Sequence, residues 1–164
     1  MNDVGRLFNP TYLVVLNDRS EFYGDRFGYV VRSRAQALFS QLDFGVPHPH
    51  LVRFNLGQPG GVAWDLPNTL PYTRTSPYVA ICLAGLMGAK RIGLIGVDFT
   101  DHHFFARTGW HPLAGQLEII DQEYRKLADA LEADNVRVVN LSRDSRLTAF
   151  RKADVGELGV SDPS

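Results

Sequence analysis

The stretch from Ile92 to Leu141 constrains this chain more than any other. Ile92–Asp98 (IGLIGVD) is a short apolar run. Leu117, Ile120, Tyr124, Leu127, Ala128 and Leu131 then recur at intervals of three and four, and Val136–Leu141 (VRVVNL) is apolar again. Strand, long loop, one-faced helix and strand form a single βαβ unit, for which a right-handed crossover and parallel strands are expected. Asp121 and Arg125 add an i,i+4 ion pair on the wet face of that helix.

The remainder fits the same plan. Thr11–Leu16 (TYLVVL) follows Pro10 and stops at Asn17-Asp18, the pattern of a strand buried on both faces. Ser33–Leu42 places Ala35, Leu38, Phe39 and Leu42 at helical spacing behind a candidate N-cap, Ser33. Leu51–Leu56 alternates and predicts a short strand, whereas Gly57–Leu70 carries enough Gly, Pro and Asn to predict a loop. Ser76-Pro77 marks a helix start, Tyr78–Met87 is apolar all round and predicts a buried helix, and Gly88 is placed to end it. Cys82 falls inside that helix and is read as core. Gly93 and Gly96 leave room for a helix or ligand to approach closely. The expected architecture is an α/β three-layer sandwich with a mainly parallel, Rossmann-like sheet. It is expected as a single domain over residues 1–152, followed by a frayed tail over 153–164.

Composition narrows the function classes. With 17 basic and 18 acidic residues the net charge is −1. That balance gives no electrostatic footprint for nucleic acid, which is not expected as a partner. The longest apolar run falls short of the roughly 20 residues a membrane span needs. Residues 1–9 lack the apolar core of a signal peptide, and a lone cysteine fits a reducing compartment, so a cytoplasmic protein without a membrane span is expected.

In open parallel sheets ligands bind beyond the carboxyl ends of the strands. Three such ends carry polar residues here: Asn17-Asp18, Asp98, and Asn140 with Ser142. Asx turns account for such residues as readily as ligand binding does. Asp98 stands apart, because a carboxylate closing a buried strand needs donors or a cation. The loop after it holds three of the five histidines, His102, His103 and His111, and is long beside the usual connection of about 2–6 residues. A histidine there suits acid–base work near neutral pH. A metal site from Asp98, Asp101, His102 and His103 is disfavoured, since adjacent side chains on an extended loop point apart. Thr75 and Ser76 at a helix start offer hydroxyls and free N–H groups suited to phosphate, although simple capping explains them too.

The stretch Thr73–Asp98, TRTSPYVAICLAGLMGAKRIGLIGVD, resembles the family 42 sialyltransferases and the related 6-hydroxymethylpterin diphosphokinase-like and motility-accessory-factor-like proteins. The likeness extends to His111, to Tyr124, to a Ser-x-Leu-x-x-Phe ending at Ser145–Phe150, and back to Asn17. The resemblance implies a Rossmann-type nucleotide-binding fold. It also implies nucleotide contacts from Asn17, Thr75, Ser76 and Asp98, a general base at His111, and sugar transfer without a metal. Three features depart from the family. Its Asn-Gly-Pro-Ser-type N-terminal motif is absent, Thr100 and Phe104-Phe105 stand where its phosphate-binding tyrosines would be, and the acceptor-side lid is reduced.

The sequence therefore points to a glycosyltransferase-like domain that binds a nucleotide-activated sugar, with no firm cofactor. Two alternatives stand beside it. One is a diphosphokinase-like enzyme holding Mg²⁺ on Asp98 and Asp101. The other is a non-catalytic or truncated module of a larger surface-glycan protein, or of a homo-oligomer.

Overall fold

A computed structural model describes residues 8–22, 24–45, 48, 50–62, 68–100 and 113–159. The chain is an α/β protein in which every paired strand is parallel to its neighbour among the described residues. It divides into two compact units, Met1–Pro59 with Ala63–Ala80, and Gly60–Val62 with Ile81–Ser164.

In the first unit, β1 (Tyr12–Val14), β2 (Ala37–Ser40) and β3 (Leu51–Arg53) form a parallel sheet in that order, with α1 (Arg26–Val31) joining β1 to β2. Leu13, Val15, Phe27, Val30, Ala35, Leu38 and Phe44 make its core. Phe27 stands at the centre, edge-on to Phe22 at 5.3 Å and to Phe44 at 5.4 Å. Each such side chain taken out of water contributes roughly 1.5–3 kcal/mol. A second parallel pair joins β4 (Asn55–Pro59) to β5 (Thr69–Tyr72), with an irregularity between Leu56 and Pro59.

The helix expected over 33–42 is not formed: the segment holds β2. Ser33 does accept the Ala35 N–H at 3.2 Å, the same bond an N-cap makes, but here it closes a turn into a strand. β2 pairs with β1 on one edge and β3 on the other, and that pairing overrides a spacing too short to separate helix from strand. The expected loop over 57–70 is likewise strand at both ends. Pro59 is tolerated because β4 lies at the edge of a two-stranded sheet.

α2 (Ser76–Leu86) starts one residue earlier than read, so Ser76 is its first residue and Thr75 takes the cap position. Gly88 ends it as expected. At φ +88° it lets its own N–H donate to Gly85 O at 2.9 Å and the Ala89 N–H donate to Ala84 O at 3.0 Å. This is the paired Schellman arrangement. Cys82 on this helix is buried.

In the second unit, β6 (Arg91–Leu94) and β7 (Arg137–Asn140) pair in parallel with Leu94 opposite Asn140, and α3 (Leu117–Ala133) supplies the crossover helix. The stripe read from the sequence is its buried face: Ile120, Tyr124, Leu127 and Leu131 are fully covered or nearly so. Asp121 is not on a wet face, since residues 148–149 cover its side chain to 14% exposure. At residues 155–158 the chain makes a 3₁₀ turn with a capping box between Asp154 and Glu157. No helix among the described residues is long and apolar enough to cross a membrane.

Candidate functional site

β6 and β7 leave their sheet side by side, and the chains beyond them are laced together. Leu141 N–H donates to Leu94 O at 2.9 Å, and Gly96 N–H donates to the Ser142 hydroxyl at 2.9 Å. The Ser145 hydroxyl donates to Val97 O at 2.7 Å, and Arg146 N–H donates to Asp98 O at 2.8 Å. The expected strand over 92–98 ends at Leu94. Gly96 at φ +72° and Phe99 at φ +53° turn the backbone out of extended geometry, so residues 95–99 form a loop held on 142–146.

This lacing brings four sequence candidates into one cluster: Asp98, Asn140, Ser142 and Ser145. Two of them are structural. Ser142 and Ser145 spend their hydroxyls on loop backbone, and Ser145 Oγ also accepts the Leu147 N–H at 3.1 Å. The Ser-x-Leu-x-x-Phe ending is thus a clasp, with Leu147 and Phe150 buried and Phe150 packed on Tyr124. Tyr124 is itself core, edge-on to Phe99 at 6.4 Å and Phe150 at 5.8 Å.

Asp98 and Asn140 differ from these. Asp98 Oδ1 and Asn140 Nδ2 are both buried and have no hydrogen-bond partner among the described residues. Native structures leave few such groups unsatisfied, so an acceptor and a donor orphaned at the carboxyl ends of two adjacent parallel strands call for a physical account. Neither orphan could be read from the sequence, because residue type alone does not show whether neighbouring loops will satisfy a side chain.

Asn17, Thr75 and Ser76 belong to the first unit. The Asn17 amide donates to Glu21, and Asp18 caps the 3₁₀ turn Arg19–Glu21 by accepting Ser20 N–H at 2.9 Å and the Ser20 hydroxyl at 2.7 Å. Hydrogen bonds from the Ser20 backbone and hydroxyl lower the Asp18 pKa. That end of β1 is therefore built as an Asx cap. Thr75 is buried and Ser76 half-buried at the start of α2. Asp101, His102, His103 and His111 lie outside the described residues.

Close approach at Gly93 is by protein rather than ligand. A Cβ there would meet Leu158 Cδ1 at 2.6 Å and Leu141 Cδ1 at 2.8 Å. A groove of about 480 Å³ runs along β7, lined by Ala128, Glu132, Val138, Phe150 and Arg151 among others, and none of the sequence candidates lines it. No group of three or more metal-ligating side chains occurs among the described residues.

Compared with known proteins, the chain matches no family model, no curated protein and no solved structure.

Proposed function

We propose that this chain is a glycosyltransferase-like domain that binds a nucleotide-activated sugar at the carboxyl ends of β6 and β7, in a Rossmann-like three-layer α/β sandwich. The observation that carries the reading is Asp98, whose buried Oδ1, beyond the end of a parallel strand, has no partner among the described residues. The parallel pairing in every sheet and the Thr73–Asp98 sequence pattern support it as well.

Asp98 would accept a hydrogen bond from the ligand. His111 would take the proton of the acceptor hydroxyl as that oxygen bonds to the sugar's anomeric carbon. The bond from that carbon to phosphate breaks, and the nucleotide leaves with its electron pair.

The test is a thermal-shift series with CMP, CDP, UDP, GDP and ATP, each with and without Mg²⁺. A ligand at about 100 times its Kd adds roughly 2.7 kcal/mol, several degrees for a chain of this size. A metal-independent rise with one nucleotide is expected, and Asp98→Ala should abolish it. That variant should melt near the wild type without ligand, because Asp98 holds Arg146 through its backbone carbonyl. No rise with any nucleotide would overturn the proposal. A rise that requires Mg²⁺ would point instead to the diphosphokinase-like reading. With an acceptor in hand, His111→Ala should lower turnover far more than donor affinity, and equal losses would remove it from the base role.

A further inference from the structure

Asn140 is the most completely tied residue of the cluster except at one atom. Its backbone N–H donates to Arg151 O at 2.9 Å, and its carbonyl accepts the Ala153 N–H at 3.0 Å. Its side-chain Oδ1 accepts the Ser142 N–H at 3.0 Å. A backbone N–H can only donate, so that bond fixes which end of the amide is oxygen and leaves Nδ2 as a donor that cannot flip. The residue is fully buried, and Nδ2 has no partner among the described residues.

We infer that Asn140 is a specificity-determining residue which, with Asp98, reads a vicinal diol of the bound ligand. The inference rests on the nucleotide-sugar reading above. The orphaned carboxyl oxygen of Asp98 is an acceptor and the amide nitrogen of Asn140 only donates. A single ligand group that meets both donates to one and accepts from the other. A phosphate fails, because its oxygens are acceptors and bring no donor to Asp98 Oδ1. Neighbouring hydroxyls succeed, since each carries a proton and lone pairs: one O–H goes to Asp98 Oδ1, and the adjacent oxygen accepts from Asn140 Nδ2. A ribose and a transferred sugar both present this group.

Binding is measured by thermal shift and titration calorimetry on the full chain. The probes are CMP, UDP, GDP and ATP, their 2′-deoxy and 3′-deoxy forms, and the sugar-bearing CMP, UDP and GDP donors. Two variants are compared with wild type. Asn140→Asp keeps Oδ1 for the Ser142 N–H and removes the donor, and Asn140→Leu removes the amide altogether. Ligand-free melting of both checks the fold.

If the ribose is read, wild type binds one ribonucleotide about tenfold more tightly than its 2′-deoxy or 3′-deoxy form, the size of one lost hydrogen bond, and both variants lose the preference at the one hydroxyl that Asn140 reads while keeping it at the hydroxyl that Asp98 reads. If the sugar is read, deoxy forms bind normally, the sugar-bearing donor binds more tightly than the bare nucleotide, and the variants lose that increment. Should wild type bind a nucleotide while the folded variants keep every preference, the inference falls and nucleotide binding stands. The same holds if base identity alone decides affinity. If wild type binds none of the probes, the proposed function falls and the inference falls with it.

Discussion

Asp121 shows how much a single residue can carry that its sequence neighbours do not reveal. The sequence pairs it with Arg125 one turn along α3, and that pair is present at 3.1 Å. Exposed i,i+4 pairs contribute only about 0.3–0.5 kcal/mol. The larger work is elsewhere. Asp121 accepts the Thr148 N–H and hydroxyl, each at 2.6 Å, and the Ala149 N–H at 3.0 Å. It thereby ties the segment holding the buried clasp residues to the crossover helix. Burial pushes its pKa up, but the hydrogen bonds from Thr148 and Ala149 and the Arg125 guanidinium outweigh that and leave it below the ordinary aspartate value. A carboxylate lowered by folding stabilises above its unfolded pKa, and the benefit is lost as pH falls through the folded value. Asp121→Asn should therefore cost on the order of 1–2 kcal/mol at pH 7 in urea melts, and the deficit should shrink in strong acid. An equal deficit at pH 7 and pH 3 would mean the charge is not what matters. Ser145→Ala belongs to the same scale: it unpairs Val97 O and Leu147 N–H in a buried setting and should cost about 1–3 kcal/mol. The sequence marked Ser145 only as the start of the Ser-x-Leu-x-x-Phe ending and did not show that it holds a clasp. Its partners were not legible, because a bond from 145 to 97 leaves no mark on local pattern.

At the scale of elements, legibility followed the length and one-sidedness of the apolar pattern. α3 repeats its stripe over several turns, and both its existence and its buried face were readable. α2 was readable for another reason: Ser-Pro at one end and Gly88 at the other bracket an apolar run. β2 was misread because Ala35, Leu38, Phe39 and Leu42 satisfy a helical spacing over a stretch too short to test it. What decides the matter is a partner strand on each edge, and that information lies outside the segment. β5 was hidden among turn-forming residues for the same reason. Gly93 gives this scale its prediction. It was expected to admit a close neighbour, and the neighbours are Leu141 and Leu158, from the end of β7 and the following 3₁₀ turn. Gly93→Ala forces the ends of both side chains to shift and should destabilise by up to about 1 kcal/mol, because half-buried leucine tips can give way. Leu158→Ala in that background should return part of the loss, so the double variant should be more stable than the sum of the two single changes predicts. Strict additivity in denaturant melts would show that the close approach is not what holds the turn to β6.

For the whole molecule, the one cysteine offers a reporter that needs no added label site. Cys82 lies within α2, fully buried, and burial pushes its thiol up to about 12. The thiolate is the reacting species, so two barriers protect it in the native state: the reagent cannot reach sulfur, and near pH 8 the proton is held. In the unfolded chain its pKa returns to about 8.5 and both barriers vanish together. Alkylation by iodoacetamide at pH 8 should thus be negligible over minutes for the native protein. Across a urea series its extent should rise along the same curve as the loss of helical circular dichroism. If Cys82 reacts well before the helical signal falls, α2 opens locally, and its stability is separable from that of the rest of the molecule. If the two curves coincide, α2 is lost only with the global transition. Adding a nucleotide that binds should then slow labelling by the same factor by which it stabilises the fold, because only the open form reacts. The reporter would thereby read ligand binding through the fold without touching Asp98 or Asn140.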